Sequence, residues 1–159
     1  MKHLIILLST VLSLFTACAQ NTEKEESSQQ YKVEKSEEEW KDQLTDIEYD
    51  VLRNEGTEPA FSGKYVEWKK SGTFTCKACG NALFESNTKF KSGTGWPSFY
   101  DYIEGNVLEK PDNSYGWNRT EVECAKCGSH LGHVFEDGPK PTGLRYCINS
   151  VSLGFKAKK

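Results

Sequence analysis

At 159 residues the chain has room for one ordinary domain with a real core, and not for two. Its formal net charge of −3 is gathered in the first quarter, which leaves the body from Trp40 to Lys159 neutral. A neutral body gives no support for a nucleic-acid partner, which would want a basic stripe, so none is expected.

From Met1 to Cys18 the chain carries Lys2 as its firm positive charge, then the apolar run Leu4 to Phe15, then Thr16 and Ala17. A bilayer span needs about 20 apolar residues. This shorter run reads as the h-region of an export signal occupying residues 1–17. Leu14-Phe15-Thr16-Ala17-Cys18 resembles the lipobox of bacterial lipoproteins, whose Cys becomes the new N-terminus and carries the lipid. Phe15 stands where Leu is usual, so simple export with cleavage nearby is the competing reading. On the lipobox reading the protein is exported and anchored through Cys18 alone, facing the periplasm or cell surface, with multiple lipidation supplying the affinity one acyl chain lacks. Residues 18–39 hold seven acids, three lysines and almost nothing apolar. Such a segment cannot bury enough surface to offset its ordering entropy, which predicts an acidic disordered tether before a folded body at 40–159.

Helical patterning is confined to Ser36 through Asn54, where Trp40, Leu44, Ile47 and Val51 share one face. Ser36 with Glu39 and Thr45 with Glu48 form two capping boxes, so two short helices compete with one longer one. Beyond Pro59 come short alternating pieces, Thr73 to Cys76, Ala82 to Phe84, Glu121 to Cys124 and Leu144 to Leu153, separated by Gly, Asn, Asp and Pro. That punctuation predicts a mainly β, mostly antiparallel domain.

Six cysteines in an exported chain would ordinarily suggest three disulfides. The spacing argues otherwise. Cys76-Lys77-Ala78-Cys79-Gly80 and Cys124-Ala125-Lys126-Cys127-Gly128 are two copies of Cys-x-x-Cys-Gly, in which the Gly lets the backbone curl back so that both sulfurs face one ion. Together they offer a closed tetrahedral shell for one structural Zn²⁺ per chain, pinning two halves of the domain. A redox-active pair is the rival reading, and the duplication favours zinc.

With Cys18 assigned to lipid and four cysteines to zinc, Cys147 is left over. A buried inert strand Cys is the commonest fate of a lone thiol. In Arg145-Tyr146-Cys147-Ile148-Asn149, however, strand alternation puts Arg145 and Asn149 on the face of Cys147. The cation is expected to favour the thiolate, and the amide to orient a ligand. Directly after the second knuckle, in Ser129-His130-Leu131-Gly132-His133, stand two of the three histidines, candidate donors and general acids near neutral pH. Zinc already has four ligands, so the alternative to chemistry is a pair of surface histidines in a polar loop. In Ser92-Gly93-Thr94-Gly95-Trp96-Pro97-Ser98-Phe99 the aromatics either pack onto the core or line a pocket, and pattern alone leaves the two even.

Gly95-Trp96-Pro97-Ser98-Phe99, His130-Leu131-Gly132-His133-Val134-Phe135 and Arg145-Tyr146-Cys147-Ile148-Asn149, in that order, resemble the signature of the methionine sulfoxide reductase B family. The resemblance runs from about Leu44 to Leu153 and takes in Gly56-Thr57-Glu58-Pro59, Phe61-Ser62-Gly63 and both knuckles. It implies two antiparallel sheets preceded by short helices, with zinc at the end away from the active site. It implies also that the Cys147 thiolate attacks the sulfur of methionine (R)-sulfoxide while His133 protonates the departing oxygen. His130 and Asn149 would bind that oxygen, Arg145 would support the thiolate, and Trp96 would wall in the substrate methyl group. Many members carry a resolving Cys where this chain has Thr94, so the sulfenic acid formed on Cys147 is expected to be reduced from outside, by a thioredoxin-like or other thiol. A monomer is expected.

Two other classes compete. Cys147, His133 and Asn149 match a Cys-His-Asn hydrolase or acyltransferase set, which would leave the sulfoxide intact and trap an acyl group. Alternatively the knuckles form a zinc ribbon that only binds a partner, with Cys147 unreactive at neutral pH.

Overall fold

Two consecutive capping boxes open the ordered helices of the computed structural model, which describes residues 30–158. Ser36 caps α1 (Glu37–Gln43) and Thr45 caps α2 (Asp46–Arg53), each with its Glu three residues on returning a bond to the cap backbone. The break between them overturns the single apolar face. Trp40, Leu44 and Val51 are buried, but Ile47 in the first turn of α2 is 45% exposed and Leu52 goes inward instead. Among the described residues no helix is long and apolar enough to cross a membrane. The export signal and Cys18 lie outside the described residues.

The ordered body also begins before Trp40. Val33 N–H donates to the Lys126 carbonyl at 2.9 Å, and the Tyr31 hydroxyl donates to Glu123 at 2.7 Å while accepting from Lys110. The Tyr31 ring lies against Gly128 of the second knuckle, where φ is +67° and a Cβ would meet it at 2.5 Å. Residues 31–39 therefore belong to the folded body rather than to the tether, because one aromatic and one backbone bond supply the docking that the acidic composition concealed.

Among the described residues nine strands form two antiparallel sheets. β1 (Gly72–Cys76) lies between β2 (Ala82–Glu85) and β9 (Leu153–Ala157). The second sheet runs β3 (Lys89–Phe90), β4 (Ser98–Phe99), β8 (Arg145–Ile148), β7 (His130–Phe135), β6 (Arg119–Cys124), β5 (Val107–Asp112). Between the sheets Phe84 stacks on Phe99 with ring centroids 4.4 Å apart, and Phe74 meets Phe99 edge-on at 5.0 Å, the offset geometries aromatic quadrupoles favour. Tyr146 and Ile148 point into this core, which leaves Cys147 on the opposite face of β8.

The stretch Leu144 to Leu153 is not one strand. β8 stops at Ile148, a 3-10 turn takes Ser150–Ser152, and β9 continues in the other sheet. The turn is held by Glu58, whose carboxylate accepts from Ser150 N–H at 2.5 Å and Val151 N–H at 2.9 Å. The two histidines sit on a central strand rather than in a loop. β7 is admitted because Gly132 lets β8 approach, since a Cβ there would lie 2.0 Å from the Cys147 carbonyl oxygen.

Candidate active site and cysteine cluster

The cysteines of the two knuckles converge. Cys76 ends β1 and Cys124 ends β6, so the cluster ties one sheet to the other. All four sulfurs lie within 4.8 Å of one another, with Cys76 to Cys127 at 3.8 Å and Cys79 to Cys124 at 3.6 Å. A tetrahedral ion with metal–sulfur bonds of about 2.3 Å places its ligands about 3.8 Å apart, so the set fits zinc in donor type, number and spacing. Asn81 Nδ2 donates to Cys124 Sγ at 3.7 Å, and the Ser129 hydroxyl lies 3.2 Å from Cys127 Sγ, as outer partners of thiolates do.

Cys147 stands apart from that cluster. β7 and β8 pair in register so that His133 is directly opposite Cys147, and both line a pocket of about 170 Å³ with Trp96, Arg119, Asn149 and Phe135. The two aromatics left even by pattern divide, Phe99 packing into the core and Trp96 forming a wall of this pocket. Its indole N–H donates to the Glu58 carbonyl at 3.1 Å, which fixes the ring plane. Asn149 Oδ1 accepts from Glu58 N–H and its Nδ2 donates to the Leu131 carbonyl at 3.2 Å. One amide proton remains for a ligand.

The electrostatics of the thiol differ from expectation. Burial pushes the Cys147 thiol up, and the Thr94 hydroxyl and Arg145 only partly oppose it. Arg145 is itself engaged by Asp137 in a two-pronged pair at 2.7 and 2.9 Å, and its guanidinium lies over the Phe135 ring. A cation shared with a carboxylate does less for a neighbouring thiolate than a free one. Thr94 Oγ1 is 3.8 Å from Cys147 Sγ, so the loop position that lacks a cysteine lies against the thiol.

The two histidines separate. His133 reaches the pocket, whereas His130 is 3% exposed and faces a smaller cavity of about 70 Å³ behind it, shared with His133, Asp112, Arg119 and Glu121. His130 Nδ1 pairs with Glu121 at 2.6 Å, and its Nε2 has no partner among the described residues. The histidine rings meet edge-on at 5.4 Å. His130 thus lines the second cavity, and His133 and Arg119 are common to both. His133 Nε2 lies 2.8 Å from Asp112 Oδ2.

Glu58, Asp112, Arg119, Glu121 and Asp137 shape the site, and sequence reasoning singles out none of them as a site residue. Glu58 stands in a motif of the family resemblance, which is its one signal. The others depend on strand register.

The SelR domain family matches residues 44–157. The chain belongs to the methionine sulfoxide reductase B family. It is 64% identical over 128 residues to the peptide methionine sulfoxide reductase MsrB of Methanosarcina barkeri, covering 80% of this chain and 90% of that one. It is 56% identical over 127 residues to the protein of the same name from Leptospira interrogans, covering 79% and 97%. Among solved structures the crystal structure of the Mis18 'Yippee-like' domain is 19% identical with a TM-score of 0.43, covering 57% of this chain and 99% of that one, a likeness too distant to bear on function. The mainly β fold with two antiparallel sheets, two short helices and four clustered cysteines is the one this family leads us to expect.

Proposed function

We propose that this chain, a peptide-methionine (R)-S-oxide reductase, works through Cys147 alone and is recycled by an external thiol. Membership of the family carries the activity, and neither the hydrolase nor the inert zinc-ribbon reading is favoured. The observation that carries the assignment of the nucleophile is the pocket itself, in which one thiol outside the cysteine cluster faces His133 beneath Trp96.

The Cys147 thiolate attacks the sulfoxide sulfur of an oxidised methionine whose methyl group rests on Trp96. His133 delivers a proton to the oxygen as the sulfur–oxygen bond breaks. The protonated oxygen passes from the methionine sulfur to the Cys147 sulfur as the bond between the two sulfurs breaks, so methionine leaves as the thioether, reduced by two electrons, and Cys147, oxidised by two, is left as a sulfenic acid. Asn149 supplies a hydrogen bond to that oxygen from its spare amide proton. His130, paired with Glu121 beneath His133, acts on the oxygen through His133 rather than by touching it. Two thiols of a thioredoxin-like partner then return Cys147 to the thiol, releasing water and a disulfide. Oxidised proteins are the substrate class, in keeping with what the curated relatives are named for.

Zn²⁺ is the ion we assign to Cys76, Cys79, Cys124 and Cys127, where it would supply folding free energy. The protein acts outside the cytoplasm as a monomer held through lipid on Cys18, a reading that rests on Met1 to Cys18 of the sequence. Replacing Cys18 with Ser should release it from the membrane fraction, and retention there would refute the anchor.

The decisive assay compares the two sulfoxide epimers with a dithiol reductant. The R epimer should be reduced by wild type and not by Cys147→Ser, with zinc content unchanged. Turnover in that variant would overturn the assignment.

A further inference from the structure

The pocket mechanism leaves unexplained why the cavity behind His133 is lined by charge. Asp112 at the end of β5 accepts from Arg119 Nη2 at 2.6 Å, from Ser114 N–H at 2.9 Å and from the Ser114 hydroxyl at 2.6 Å, and still contacts His133 Nε2. Four donors on one carboxylate are more than a surface acid gathers by chance. Each has a defined geometric source, in the turn after β5 or on the neighbouring strands β6 and β7.

We propose that Asp112, fixed by Arg119 and Ser114, is the positioning residue for His133, making Cys147, His133 and Asp112 one functional line across strands β8, β7 and β5. This rests on the reading of His133 as the proton donor. An ionised carboxylate only accepts, so His133 Nε2 must carry its proton toward Asp112. That leaves Nδ1 as the nitrogen that takes up and releases the proton used at the sulfoxide oxygen. A histidine whose second nitrogen is held by a carboxylate is restricted in both ring orientation and tautomer.

The charged groups around His133 also oppose one another in sign. Asp112 from β5 favours the imidazolium, whereas Arg119 from β6 and His130 from β7 disfavour it. Burial pushes His133 down, and Asp112 works against that push. Asp112 itself is held well below the usual carboxylate range, by Ser114 first, with His133 and Arg119 adding to the effect. Glu121 on β6, Cys147 on β8 and Glu55 after α2 complete the titratable groups around the ring and its cavity. Removing Asp112 and removing Arg119 should thus move His133 in opposite directions, which no general loosening of the site would do.

The test uses the full-length zinc-loaded enzyme with Asp112→Asn and Arg119→Gln. Imidazole nitrogen resonances of His133 report tautomer and titration, and kcat and KM are followed against pH. In Asp112→Asn the His133 titration should fall, its tautomer preference should be lost, and kcat should drop about 10- to 100-fold with KM little changed. In Arg119→Gln the titration should rise. Shifts in the same direction, no shift, or a kcat within about twofold of wild type in Asp112→Asn would overturn the proposal. Should Asp112→Asn fail to fold, the sign of the Arg119→Gln shift still decides it. His133→Gln separates the two levels. Full turnover there would remove His133 as donor, whereas loss there with an active Asp112→Asn would remove only the positioning role.

Discussion

Replacing Glu58 with Gln tests how far the site depends on a residue that never touches the substrate. Glu58 is 2% exposed, and its carboxylate receives the backbone N–H groups of Ser150 and Val151. Gln keeps the shape but offers one oxygen, so one charge-assisted bond, worth about 1.5–3 kcal/mol, is replaced by a buried N–H facing an NH₂ group. Relief of a buried charge offsets part of that loss. The net expectation is about 2 kcal/mol, a fall in Tm of about 6–10 °C for a domain of this size. Burial pushes the Glu58 carboxyl up, with the two N–H groups opposing it. The folded state therefore holds this proton more tightly than the unfolded chain, so this contribution is present at low pH and is lost as pH rises through the folded carboxyl's range. The gap between wild type and variant should accordingly widen on acidification. Turnover should fall with stability, because the same turn carries Asn149 and the Glu58 carbonyl holds Trp96. Gly63→Ala provides an independent check, since its Cβ would lie 2.3 Å from Ser150 Cβ. Scanning calorimetry and zinc analysis decide the matter. A Tm within about 2 °C of wild type would refute the reasoning, and loss of zinc would show that the effect arises elsewhere.

Metal analysis should find about one zinc per chain, and replacing any of Cys76, Cys79, Cys124 or Cys127 with Ser should lower Tm sharply; two disulfides and no metal would contradict this. A single turnover without reductant should leave Cys147 reactive toward dimedone, with no internal disulfide seen by mass spectrometry. Thr94→Cys should divert that signal into a disulfide between the introduced thiol and Cys147, because Thr94 Oγ1 already lies 3.8 Å from the sulfur; a persistent dimedone adduct in the variant would count against the packing of this loop. The rate of attack should rise with pH as the thiol ionises. Arg145→Gln removes a cation that lowers the thiol, so its limb should move to higher pH and its neutral-pH rate should fall about tenfold for each unit of displacement; an unmoved limb would show that Asp137 already cancels the charge.

What the sequence makes legible is local. Each Cys-x-x-Cys-Gly knuckle is read from five consecutive residues, and the capping boxes from four, so both can be placed without knowing the fold. Cys147 emerges by elimination among six cysteines. Glu58 cannot, because its partners lie 92 and 93 positions away. The acids behind the histidines depend on a register that shifts between Val122 and Glu123, and a one-residue slip would turn them to the other face. β7 is not among the strands picked out from the sequence because Gly interrupts its pattern, whereas Gly132 is there to admit the β8 backbone. The effect of Arg145 on the thiol is overstated by the sequence for a related reason. Its partner Asp137 and the depth of Cys147 both follow from tertiary packing.

The cysteine cluster and the thiol chemistry meet through β7. The turn from Cys124 to Ser129 closes with backbone bonds from Cys124 to Ser129 and from Gly128 to Cys124, so four sulfurs around one ion would fix its shape. His130 follows at once, and His133 three residues later opposes Cys147. A metal lost from the knuckles would therefore be felt first at the start of β7, in the His130 to Glu121 pair. The ion reaches the reaction only through the strand it anchors. This is why a site that never touches zinc should lose its geometry with it.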